Sequence, residues 1–226
     1  MFHRKKMARL REKLIPSSLS ELINPEHTAL LIIDVQNDFC TKGGVFDRHG
    51  SDLSMYQTMI PNLKSIVDKA RRAGVLIVYT QDTLPLNHLT ESAARICVKM
   101  KIFKVADPNL IPELCLEGSW GQDFVDEVKP VPGDAIVKKH RNSAFAGTDL
   151  DLMLRSNDIK TLAITGVVTE GCVESTARDG DSYNYFVVLV KDCVGSHNKD
   201  LHEASLKVME NRFRSITSDQ AAEVWK

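Results

Sequence analysis

The sequence predicts an α/β fold with three layers, α/β/α, around a six-stranded, mainly parallel, doubly wound sheet. Three observations predict it. Short apolar runs recur six times along the chain, and stretches of helical period separate most of them. Parallel neighbours need a covering crossover, and this alternation supplies one. The chain has 226 residues, 43% hydrophobic and 26% charged, enough to bury one sizeable core in one domain.

The elements follow in order. Residues 1–25 open with the basic "MFHRKKMARLREKL", which lacks the apolar run of a signal peptide. They read as an arm, solvated or packed on a partner subunit, before a domain of residues 26–226. "TALLIIDV" (28–35) is the first strand, apolar throughout as expected when both faces are buried. A helix over 60–73 buries Ile60, Leu63, Val67 and Ala70, with Gly74 as its stop. "VLIVYT" (75–80) is the second strand. Residues 81–133 carry Pro85, Pro108, Pro112, Pro130 and Pro132 and only weak periodicity. Such a segment is expected to be a lid, a binding loop or a subunit contact, with much of the pocket in 83–117. "DAIVKK" (134–139) is the third strand. "TDLD" has the pattern of a capping box opening a helix over 148–155. Strands at 161–168, 185–192 and 213–217 complete the sheet, with helices over 199–210 and over 218–225, the latter entered through "TSDQ".

Composition excludes several classes. With 29 basic and 30 acidic residues, net charge −1, nothing draws the chain to nucleic acid. No apolar run approaches the roughly 20 residues that cross a bilayer, so a soluble chain with no membrane partner is expected. Cys40, Cys97, Cys115, Cys172 and Cys193 are odd in number and lack metal-ligand pairing, which fits a reducing cytoplasm.

In a doubly wound sheet, ligands bind beyond the carboxyl ends of the strands. Asp34, Lys139 and Cys172 fall at or near three such ends. In "TGVVTEGCVESTARDG", Thr169 is a candidate N-cap, placing Cys172 at about the third helical position. Free backbone N–H groups and the helix dipole there lower a thiol pKa below its usual value of about 8.5. A thiolate so placed can attack a carbonyl while the N–H groups hold the oxyanion. Asp34 could take the thiol proton and return it to a leaving amine. Each residue also has an ordinary reading: Cys172 as a small buried hydrophobe, Asp34 as a turn or cap carboxylate, Lys139 as a solvated strand end. The residues alone leave these open. Phe39 and Trp120 are candidate flat walls for a substrate, and Gln36 or Gln81 could offer it an amide; core packing and surface polarity compete for all four. Glu174 and Arg178, spaced i, i+4, read as an ordinary surface ion pair.

"LLIIDVQNDF", "VKKHRNSAFAGTDLDLMLRS", "AITGVVTEGCVESTARDG" and "VVLVKDC" together resemble the isochorismatase-like cysteine hydrolases, in the family's order and over residues 28–217. The resemblance implies a catalytic aspartate at Asp34, a lysine at Lys139, six positions before Phe145, and a nucleophile at Cys172. It also implies a cis peptide between Val167 and Val168, with the N–H groups of Val168 and Cys172 forming an oxyanion hole. It implies no organic cofactor, a small amide or ureide as substrate, and a homodimer or homotetramer.

Within the family, "DFCTKGGVFDRHGSDLS" is similar to biuret hydrolases, while "GSWGQDFVDEVKPVPGD" and "CVESTARDGDSYNYFVVLVKD" are similar to ureidoacrylate amidohydrolases. Both subgroups cut amide C–N bonds. N-carbamoylsarcosine and nicotinamide amidases are the alternatives. Nicotinamidases hold a metal with histidines after the second strand; here Asp82 and His88 are kept but Leu84 replaces the first histidine, so no metal is expected. True isochorismatases lack the cysteine, so Cys172 argues against vinyl-ether hydrolysis. Two other classes fit less well. A phosphorylatable receiver needs an acidic pair after the first strand, where Val35 and Gln36 follow Asp34. A thiol redox protein needs a resolving cysteine, and Cys193 follows a different strand.

Overall fold

The structure, a computed structural model, describes residues 8–10 and 13–226. Most of the basic stretch of the expected arm lies outside the described residues. A sheet of six strands forms the centre: β1 Thr28–Ile33, β2 Leu76–Asp82, β3 Ala135–Lys139, β4 Thr161–Val167, β5 Phe186–Gly195 and β6 Arg214–Ile216. Their order is β3-β2-β1-β4-β5-β6 and every pairing is parallel. The order reverses between β1 and β4, so the switch point lies at their carboxyl ends. β1 and β4 are buried along their whole length, which is why they read as unbroken apolar runs.

Helices cover both faces: α1 Ser54–Arg72, α2 Ala93–Phe103, α3 Leu150–Ser156, α4 Glu174–Ser182, α5 Lys199–Glu210 and α6 Ser218–Val224. Leu30 and Ile32 of β1 pack with Tyr56, Leu63 and Ile66 of α1 and with Ala221 of α6. Leu31 and Ile33, on the other face, pack with Leu150 and Leu154 of α3, Ala177 of α4 and Met209 of α5. Alternate residues of one strand thus serve two cores.

Four boundaries differ from the sequence reading, each for a physical reason. α1 starts six residues early because Tyr56 and Met59 continue its buried stripe, while Pro61 inside it faces solvent. The segment 81–133 contains α2, capped by Ser92 accepting from Arg95 N–H; of its residues only Lys99 is buried, so no apolar stripe announced it. "TDLD" forms no capping box: Asp151 is taken by Tyr185 Oη at 2.8 Å and Arg155 Nε at 2.9 Å. "TSDQ" does form one, between Thr217 and Gln220. Within the expected arm, Leu19, Leu22 and Ile23 pack on the core, and Trp225 Nε1 donates to Ile23 O at 2.8 Å. No helix among the described residues is long and apolar enough to cross a membrane.

Candidate active site

The carboxyl ends of β1, β3 and β4 bring three titratable side chains into contact. Asp34 follows β1 in a left-handed conformation, φ 51°. Its N–H is held by Thr80 of β2, whose hydroxyl donates to Asp34 Oδ1 at 2.6 Å. Lys139 ends β3, and β2 lies between it and β1, so its long side chain passes over the end of β2. Its Nζ meets Asp34 Oδ2 at 2.7 Å, Arg141 O at 2.9 Å, Cys172 Sγ at 3.4 Å and Asp82 Oδ1 at 3.8 Å. Asp34 and Lys139 are wholly buried; Cys172 keeps 8% of its surface exposed. A buried ammonium and carboxylate persist only when paired this closely.

The Val167–Val168 peptide is cis. Beyond it, Thr169–Val173 form a π-helical turn that leads directly into α4. This corrects the expected N-cap. Val168 occupies the cap position, and Thr169 Oγ1 instead bonds His202 Nδ1 of α5 at 2.7 Å. Cys172 sits in the π turn, before α4 begins.

Cys172 lines a cleft of about 640 Å³ whose walls include Phe39, Phe46, Asp82, Arg95 and Val168. Residues 28–221 match the isochorismatase domain family. The chain belongs to the isochorismatase family. It is 37% identical over 201 residues to ureidoacrylate amidohydrolase RutB of Pantoea ananatis, covering 86% of this chain and 80% of that one. The solved structure of an isochorismatase-like hydrolase from Alkaliphilus metalliredigens is similar at TM-score 0.69 and 30% identity, covering 88% and 99%. A cysteine hydrolase from Pseudomonas syringae pv. phaseolicola shares the fold at TM-score 0.77 and 22% identity, covering 90% and 94%.

In this isochorismatase-family hydrolase the electrostatics of the cysteine differ from the expectation of a low thiol pKa. Burial pushes the Cys172 thiol up; Lys139 pulls it down, and Asp34 and Asp82 push it up further. The net shift of the thiol is upward. Burial works against the Lys139 ammonium too, but Asp34, Asp82 and Cys172 hold its pKa above the ordinary value. Burial raises Asp34 against the pull of Lys139. The charged lysine is thus the fixed element, and a proton can pass between thiol and carboxylate beside it.

The other candidate residues separate. Phe39 lines the cleft, with its ring 5.2 Å from that of Phe46 and perpendicular to it. Gln36 is buried and fully committed: its amide donates to Asp82 O and Gln122 O and accepts from Asp82 N–H, at 2.8 to 2.9 Å. It latches β2 to the loop at 122 and has no free amide for a substrate. Gln81 donates to Gln122 O at 3.3 Å and Trp120 is half exposed near Gly43; neither lines the cleft. Arg95, which does line it, carried no periodic or motif signal, while Phe46 and Glu170, which also line it, fall in segments similar to the family but were not singled out there. Asp82 stands between Lys139 and Arg95, at 3.8 and 3.9 Å, Leu84 is buried, and His88 pairs with Glu113 at 3.3 Å. Among the described residues no group of three His, Cys, Asp or Glu is placed to hold a metal ion. Glu174 and Arg178 pair at 2.7 Å, and Glu174 also takes the hydroxyl of Ser205 from α5. Cys193 packs in the core on the face of the sheet opposite Cys172.

Proposed function

We propose that this hydrolase, which acts on carbon–nitrogen bonds other than peptide bonds, is a cysteine amidohydrolase that cleaves a small ureide or carbamoyl compound through a thioester intermediate. The contacts of Lys139 with Asp34 and with Cys172, which lines the cleft, carry the reading. Similarity to ureidoacrylate amidohydrolase supports the substrate class.

Asp34 takes the thiol proton as Sγ of Cys172 bonds to the carbonyl carbon. The N–H groups of Val168 and Cys172 hold the oxyanion. As the tetrahedral adduct collapses, the C–N bond breaks and Asp34 returns the proton to the departing ammonia or amine. Water then attacks the thioester, giving its proton to Asp34, which reprotonates the thiol as the C–S bond breaks. Lys139 keeps Asp34 oriented and offsets the negative charge that moves between carboxylate and sulfur. The steps draw on side chains, backbone N–H groups and water.

The test is amine or ammonia release from ureidoacrylate, biuret and small primary amides by the wild-type and Cys172→Ala proteins. Loss of the nucleophile should reduce turnover by at least about 1,000-fold. Acid-quenched wild-type enzyme should carry an acyl mass on Cys172. Near-normal turnover by Cys172→Ala would refute the mechanism.

A further inference from the structure

We propose that Arg95 is a specificity residue that binds a substrate carboxylate, so that the cleft prefers a planar ureido acid, a urea-type carbonyl joined to a carboxylate, over a neutral ureide. This rests on the ureide reading above and narrows it.

Arg95 lines the same cleft as Cys172 and keeps 18% of its side chain exposed. A guanidinium has five N–H donors. Here Nη1 donates to Asn142 Oδ1 at 3.0 Å, and Nε is buried with no acceptor among the described residues. Two carboxylates stand near, Asp82 and Glu91, both at 3.9 Å and beyond hydrogen-bond reach. Each answers to another cation: Asp82 to Lys139 at 3.8 Å, Glu91 to Lys99 at 2.5 Å. The guanidinium is therefore balanced in charge but unfilled in hydrogen bonds. Buried donors left unmade are costly, and a carboxylate fits the planar fork of arginine better than any neutral group does.

Its position suits a small acid. Contacts run from Cys172 Sγ to Lys139 at 3.4 Å, on to Asp82 at 3.8 Å and to Arg95 at 3.9 Å. The guanidinium is thus three contacts from the nucleophile, each under 4 Å, and both groups line one cleft. Phe39 and Phe46, packed edge to face, form an apolar wall in the same cleft, with His197 4.4 Å from the Phe46 ring. A conjugated linker between ureide and carboxylate would lie against it. Lys101 of α2 and Lys104 just beyond its end add positive charge. Of the acidic lining residues besides Asp82, Asp52 accepts from Ser54 N–H at 2.8 Å and Glu170 from Ser196 Oγ at 2.9 Å. The second oxygen of Glu170, Oε2, is buried without a partner among the described residues.

The experiment compares kcat/KM for ureidoacrylate and for its carboxamide in the wild-type, Arg95→Gln and Arg95→Lys proteins. The wild type should prefer the acid. Arg95→Gln should cut that preference by about 10- to 100-fold, mainly through KM, and Arg95→Lys, which keeps the charge but not the fork, should fall between. An unchanged preference, with both substrates affected alike, would overturn the proposal and mark Arg95 as a support for Asp82. Calorimetric titration of the Cys172→Ala protein with the same two compounds reads binding without turnover. Tighter binding of the acid, lost in the Cys172→Ala, Arg95→Gln double variant, sustains the carboxylate site even if the wild type hydrolyses neither compound, an outcome that would refute the proposed function alone. Hydrolysis of both compounds without preference would refute the carboxylate site alone. Equal binding of acid and carboxamide counts against it in either case.

Discussion

Asp34, Lys139 and Cys172 work as a unit because burial makes each charge expensive and contact makes it affordable only in combination. Lys139 is bonded by two acceptors and the sulfur, so its position is set before any substrate arrives. Burial raises the Cys172 thiol above the ordinary cysteine range, so in the proposed mechanism its attack needs the Asp34 carboxylate as base. Iodoacetamide should therefore alkylate Cys172 more slowly than a free thiol at neutral pH, with the half-rate displaced to more alkaline pH than a free cysteine shows. Mass spectrometry of Cys172 peptides across pH measures this directly. A half-rate below about pH 8.5 would contradict the upward shift of the thiol. Sequence placed these three at strand ends but misjudged the pKa, because a helix-terminus argument counts local dipoles and omits the desolvation that only the packed site imposes.

At the scale of the elements, β4 has to lie close enough to β1 for Cys172 and Asp34 to meet. Gly166 makes this possible: its φ is 105°, and a Cβ there would stand 2.1 Å from Ile33 O and 2.5 Å from Ile33 N. Both contacts are with backbone, so neither can move aside cheaply. Gly166→Ala should lower stability by about 3 kcal/mol or more and remove turnover, as measured by urea unfolding and by amine release. A variant with an unchanged urea midpoint would show that the strand pair can separate without cost. The strands were legible because β-branched runs buried on both faces have no other use in a chain of this polarity. α2 was not legible, since a helix that lines a cleft leaves Val98 and Ile102 half exposed and shows no stripe.

Over the whole molecule, burial of thiols and phenols couples stability to alkaline pH. Cys40, Cys115, Cys172 and Cys193 are held above their ordinary value of 9.0, mainly by burial. Tyr56 is raised above 10.0 by burial, and Tyr79 is pushed up to about 12. Above pH 9 the unfolded chain releases protons that the folded chain retains, so the folded state binds more protons and stability falls as pH rises. The urea midpoint should drop steadily from pH 9 upward, and a flat profile to pH 11 would refute the claim.

From the sequence alone came the α/β class, the six strands, the family and the three residues at the strand ends, because burial patterns and ordered motifs are written along the chain. Tertiary structure alone decided which of Gln36, Phe39, Gln81 and Trp120 faces the cleft, that Arg95 stands beside Asp82, and that burial pushes the Cys172 thiol up. Side-chain direction, desolvation and the distance between charges depend on neighbours that are remote in sequence, and no local pattern encodes them.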